Sequence, residues 1–404
     1  MCRQIRLLLL LTSACFTGAI GSMAMAEPTC SSHPVVVPME LHNNLIFVPV
    51  QVNGSGPHSF LVDTGASESF LNTQLASSLG FGSKQHKTNI GAGESSTNIG
   101  SAKGVALSLS GIDLPAESVA VIPLAGIEAK IGFKIEGIVG AELFRRYVVT
   151  IDYGAKQLSL CEPGKFDDEN HSDALTLRLS GNRPFIHAQI TSLNGARIDG
   201  EFAIDTGDTS TITFHSPFVE KYALRSSGQT FVPHVSTGLS GDSRSWRGRL
   251  QSVLLGKFDI DRPTVTFSEA TRGSESDASY SGIIGGEILG RFRMTLDYSR
   301  HRMLLDPNVR FNDRFDDDMS GATLAASGPE LRTVTIVNLI ENSAAAQAGI
   351  KVNDILETID GTPVAEMTLP QIKEMFRHDG AVYSLGIRRN DQSVPIQLTL
   401  RRII

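Results

Sequence analysis

Phe60-Leu61-Val62-Asp63-Thr64-Gly65-Ala66 is answered, 142 residues later, by Phe202-Ala203-Ile204-Asp205-Thr206-Gly207-Asp208. Each copy is an apolar run that ends in Asp-Thr-Gly, and each has an apolar partner downstream, Gly137-Ile138-Val139-Gly140 and Gly282-Ile283-Ile284-Gly285. The match extends beyond the partners. Residues 137–160 align with 282–305 without a gap at an offset of 145, and nine of the 24 positions are identical, among them Glu142/Glu287, Thr150/Thr295 and Asp152/Asp297. Repetition on this scale implies duplication of a whole lobe, not a solenoid of small units.

Outward from the motif, residues 45–52 and 59–62 read as β-branched strands punctuated by Asn53-Gly54, and residues 184–191 and 201–204 repeat the plan around Asn194-Gly195. A further strand at 35–39 is expected to form a hairpin with 45–52 through Asn43-Asn44. After each glycine-flanked partner, a short helix and a closing strand are predicted, at 141–145 and 148–153 in the first copy.

A strand that ends in Asp-Thr-Gly presents a carboxylate at a turn. The threonine hydroxyl is placed to bond neighbouring backbone, and the glycine lets the chain approach closely and donate to the carboxylate. Two such loops facing each other bring two carboxylates to one water, and like charges that close share a proton. The ionised partner then takes a proton from water while the protonated partner donates to a carbonyl oxygen.

These residues resemble the aspartic proteases of the retropepsin and pepsin clan, whose dyad is itself a standard illustration of two carboxylates sharing one proton. The resemblance covers about residues 35–308 and implies a mainly β, bilobal fold of two retropepsin-like lobes. It also implies peptide-bond hydrolysis in a cleft between them, with Asp63 and Asp205 as the dyad, supported by Thr64, Gly65, Thr206 and Gly207. The contrasting expectation is a non-catalytic peptide-binding adaptor that keeps the fold. Gly91 and Gly93 in the first copy, and Gly238 and Gly241 in the second, resemble the paired flaps of retropepsin dimers; no tyrosine lies in the first stretch, as it does in the single pepsin flap. Pepsins follow Asp-Thr-Gly with Ser or Thr. Here Ala66 and Asp208 stand in those positions, so a hydroxyl donor is lost and an acid is added. Both changes are expected to raise the dyad's pKa values and to give a less acidic working range than that of gastric enzymes.

From residue 321 the pattern changes to that of a separate small unit. Residues 343–364, with Asp354-Ile355-Leu356 and Ile359-Asp360-Gly361, resemble a PDZ domain of the type attached to bacterial exported proteases, with Asn353 where that family has glycine. The resemblance covers residues 320–404. It implies a small α+β fold that binds chain ends by strand addition, near Gly321, Ala322, Thr323 and Leu324. The expected divisions are a signal peptide at 1–26, lobe 1 at 27–165, lobe 2 at 170–308 and the PDZ domain at 320–404.

The 404-residue chain is 41% hydrophobic and 20% charged, which fits a folded protein of two or three domains. A net charge of -7 without basic clusters gives no reason to expect nucleic acid or anionic membrane as partner; protein or peptide substrates and PDZ-bound chain ends are expected instead. Arg3 and Arg6, the apolar residues 7–11 and Ala24-Met25-Ala26 read as a secretory signal, so the protein is expected to be exported, to a bacterial periplasm or medium. A lipoprotein signal cut before Cys15 is the weaker alternative, because its apolar residue stands one place too early. No later run is long enough for a membrane span. Without the signal, two cysteines remain, Cys30 and Cys161, either disulfide-bonded or two free thiols. No cofactor is expected. No metal site is expected either: the ten histidines form no ligand motif, and Asp316-Asp317-Asp318 reads as a solvated linker.

Overall fold

The computed structural model describes residues 29–82, 86–88, 91–114, 118–168, 173–225 and 229–404. The expected signal segment 1–26 and the first-flap residues Asn89 and Ile90 lie outside them. The fold is mainly β, with two lobes and a small C-terminal unit.

In the first lobe, β1 (Leu45–Val52) and β2 (Ser55–Val62) form an antiparallel pair at the centre of a ten-stranded sheet. After an excursion that includes α1 (Ala125–Ile131), β3 (Gly137–Val139) returns to lie parallel to β2, with Val139 opposite Val62. Phe60, Val62 and Val139 are fully buried, which is why both runs are apolar without alternation. The closing strand of this half is β4 (Val148–Asp152).

The second lobe repeats the plan with β5 (Arg183–Thr191), β6 (Arg197–Ile204), the hairpin of β7 (Val232–Gly238) and β8 (Gly241–Arg249), then β9 (Gly282–Ile284) and β10 (Phe292–Asp297). Strand β9 lies parallel to β6, with Ile284 opposite Ile204.

The two halves share a seam. Strands β4 and β10 pair antiparallel at the middle of a six-stranded sheet, with Thr150 opposite Thr295 and their hydroxyls 2.8 Å apart. The equivalent threonines of the repeat therefore meet each other. One hydrophobic core runs across both lobes, and Cys30 and Cys161 are disulfide-bonded at the edge of the first.

Two local expectations change. The segment Val35–Pro38 joins the shared sheet, pairing with Gln157–Cys161, and the hairpin partner of β1 is instead the short strand Glu40–His42, with Asn43 and Asn44 at positive φ in the turn. Burying the apolar Val37 in the seam outweighs local hairpin pairing. The aspartates 316–318 are not a solvated linker. Asp316 pairs with Arg402, Asp317 accepts from Arg247 at 2.9 Å, and Asp318 accepts from Ser320, so the run fastens the C-terminal unit to the second lobe.

That unit has its own core and a sheet with β11 (Ala322–Ser327) at its edge, paired only with Thr333–Leu339. Its main helix, α2 (Leu369–Met375), starts at a Thr368/Gln371 capping box and packs beside β11. Asn353 has φ 73°, the left-handed backbone expected of a residue standing where glycine is usual. Asp354 is buried and held by Arg389 at 2.6 and 2.7 Å.

Candidate active site

Both Asp-Thr-Gly loops lie at the ends of their strands and face each other across the pseudo-two-fold axis. The main-chain amide of Asp63 donates to Val139 and that of Asp205 to Ile284, each at 3.0 Å, so the partner strands place the aspartates. Gly65 N donates to Asp63 Oδ1 at 2.7 Å, and Gly207 N to Asp205 Oδ1 at 2.9 Å. Neither glycine has room for a side chain. A methyl group at Gly65 would lie 2.4 Å from Asp205 Oδ2, and one at Gly207 would lie 2.6 Å from Asp63 Oδ2. Each loop thus binds its own carboxylate by an amide and presses its backbone against the other's.

The threonines lock the loops together. Thr64 Oγ1 donates to Ile204 O at 2.6 Å and accepts from Thr206 N at 3.0 Å; Thr206 Oγ1 donates to Val62 O at 2.8 Å and accepts from Thr64 N at 3.1 Å. Both are buried, and all four bonds cross between lobes.

The two aspartates face each other across the crossed loops, and both carboxyls are held above the ordinary range. For Asp63, burial is the main cause, opposed by the bond to Asp205 and the amide of Gly65. For Asp205, burial is joined by the charges of Asp63 and Asp208, which act in the same direction. Asp208, itself raised by burial, accepts from Ser210 N. Two carboxylates facing each other this closely cannot both ionise without a large cost, so the arrangement favours one shared proton.

The flap glycines meet over the cleft. Gly238 and Gly241 flank the tip of the β7–β8 hairpin, while Gly91 and Gly93 lie in a bend before Thr97–Lys103. Ser240 N donates to Ala92 O at 2.9 Å and Ser95 N to Ser240 O at 2.7 Å. A methyl group at Gly93 would lie 2.4 Å from the Ser240 backbone, so the two tips interlock with no space between them.

Beneath the flaps, a cavity of about 1170 Å³ contains the dyad. Its walls, which sequence reading missed, differ between lobes. Leu45, Phe70, Leu124, Ile127, Ile131 and Ile138 face it from the first lobe; Ser210, Thr211, Thr213, Thr264, Thr266 and Arg247 face it from the second. These positions are scattered through the chain, so no local motif marks them. The alternation of buried Thr and Ser in 264–268 was the available signal, since polar residues inside a strand pair need a polar neighbour or a ligand. The same cavity reaches Gly321, Ala322, Thr323 and Leu324, so the expected chain-end site of the C-terminal unit opens toward the cleft. Among the described residues, no group of three or more potential ligands could hold a metal ion, and no helix is long and apolar enough to cross a membrane.

The family profile described as "Aspartyl protease" matches residues 48–143 and again 189–288, and that described as "PDZ domain" matches 335–389. Among solved structures, this chain is similar to one described as the HtrA3 PDZ domain bound to a phage-derived ligand, at 17% identity and a TM-score of 0.18, over 20% of this chain and 80% of that chain. Comparison with curated proteins gives no match.

Proposed function

Because the chain carries two aspartyl protease domains followed by a PDZ domain, we propose that it is an aspartic endopeptidase in which Asp63 and Asp205 together activate water. The observation that carries the reading is the pair of facing carboxylates, with one glycine amide on each and four threonine bonds fixing the loops. In this mechanism the ionised carboxylate accepts a proton from water as oxygen attacks the peptide carbonyl, while its protonated partner donates to the carbonyl oxygen. The carboxyl that took the water's proton then passes it to the leaving nitrogen as the C–N bond breaks, and the hydroxyl formed on the former carbonyl returns its proton to the other carboxylate, which restores the starting state. The interlocked flaps have to part to admit an extended peptide, and their closing excludes bulk water.

Two further parts of the proposal rest on the sequence. Export follows from the signal pattern of residues 1–26 and is in keeping with the Cys30–Cys161 disulfide. Recruitment of protein substrates follows from the PDZ domain, whose edge strand β11 is of the kind that takes a chain end.

Cleavage of an unfolded protein mixture by wild type, Asp63→Asn and Asp205→Asn tests the chemistry. Each substitution is expected to lower kcat/KM by roughly 10³-fold or more, because neither carboxylate alone serves as both acid and base. Equal digestion by all three would remove the dyad from the mechanism and favour the adaptor.

A further inference from the structure

The furrow between an edge strand and its neighbouring helix is where a PDZ domain takes an extended chain. In this molecule that furrow, between β11 and α2, already has an occupant. Helix α1 of the first lobe packs against β11. At the end of α1, the Lys130 carbonyl accepts a 2.8 Å hydrogen bond from Lys373 Nζ on α2. Gly132, the next residue but one, lies so close to α2 that a methyl group there would sit 2.5 Å from Leu369 Cβ. One helix of the protease lobe therefore touches both walls of the furrow.

The same helix belongs to the cleft. Ile127, Lys130 and Ile131 line the cavity that holds the dyad, and α1 also touches β7, the first strand of the second flap. A body that lies against both walls of the furrow and also forms the cleft wall couples the two.

We propose that α1 is a built-in competitor for the PDZ furrow: a chain end adding to β11 displaces α1, and the displacement reshapes the wall and flap of the catalytic cleft. The second half of this statement rests on the protease reading; the first does not. The chemistry of the furrow also indicates its ligand. When α1 leaves, Lys373 loses its carbonyl acceptor, and Arg377 and Arg247 lie around the same cavity. Arg247 and Arg377 have acidic partners of their own, Asp317 and Glu287, and Asp318 lies near Lys373. The ligand is an extended chain end that offers Lys373 an acidic side chain.

The probe is a fluorescein-labelled peptide, Gly-Ser-Gly-Glu-Ser-Val-Val, with a free terminal carboxylate, titrated into the full chain in an Asp63→Asn background. Gly132→Ala wedges α1 away from Leu369 and is expected to tighten binding by about 10-fold, since less of the protein then holds the furrow closed. Because alanine is strained at that residue's φ of 78°, hydrogen exchange on the Asp63→Asn chain supplies a measurement that needs no wedge. Amides 127–132 are expected to lose protection when the probe binds. Unchanged protection, or failure of the probe to bind, overturns the competition. Replacing the probe's Glu by Lys is expected to weaken it about fivefold, and equal binding overturns the acidic preference. In the otherwise wild-type chain, saturating probe is expected to change kcat/KM for a C-terminally amidated, internally quenched peptide by threefold or more; an unchanged rate overturns the coupling. A wild type that cleaves nothing sinks the protease reading and the coupling with it, while exchange still decides who occupies the furrow.

Discussion

Asp208 is the residue that most separates the two halves of the site. Where the first loop continues with the apolar Ala66, the second places a half-buried carboxylate whose charge raises Asp205 further above its ordinary range, after burial and Asp63. The active dyad holds one proton, and activity on the alkaline side falls when that proton leaves. A raised pKa moves that fall to higher pH, so on the protease reading the alkaline limb is expected above the ordinary carboxyl range. Asp208→Asn removes one of the charges opposing ionisation of Asp205. The alkaline limb of a kcat/KM profile is therefore expected to shift to lower pH, and a limb that stays or moves upward would show that Asp208 does not act on the dyad. The chemistry of this pair was legible in the sequence because a strand ending, its aspartate and its glycine are consecutive residues. The upward shift at Asp205 was legible only as a tendency, through Asp208. Its size depends on burial, which no neighbouring residue in the sequence reports.

Among the elements, the crossed threonines are the joint on which both loops depend. Thr64→Val leaves the Ile204 carbonyl and the Thr206 amide without partners in a buried place, a loss of about 1–3 kcal/mol. Thr64→Ser keeps both bonds. Thermal melts are expected to separate the two variants by several degrees, with kcat retained in the serine form and lowered in the valine form. Equal melting would mean that the cross-lobe bonds carry little stability. The repeat announced these strands and their parallel partners because buried strands need uninterrupted apolar runs. It did not announce that Val35–Pro38 leaves its neighbour to join the shared sheet, or that the cleft is apolar on one side and rich in hydroxyls on the other. Both depend on contacts between distant segments.

For the whole molecule, the lobes share a core and the C-terminal unit is fastened to them by Asp316 and Asp317. The disulfide closes a long loop, joining residues 131 apart. On chain-entropy grounds, the Cys30→Ser, Cys161→Ser double variant is expected to lose about 5 kcal/mol, with less loss if the unfolded chain is already compact. Urea unfolding of the two forms measures it, and coincident midpoints would show that the bond contributes little. The division into three units was visible from repetition and a change of pattern. Their arrangement was not, since the sequence gives no sign that a helix of one unit lies on the edge strand of another.

The seam also bears on how the protein is made. Strand β4 pairs with Gln157–Cys161 on one side and with β10 on the other, and the threonines facing across the β10 side are 145 residues apart. While a ribosome is still adding the second half, the first therefore has an open strand edge, with paired-strand hydrogen bonds unmade. Folding of the first half cannot finish during its own synthesis; it waits until Phe292–Asp297 has emerged.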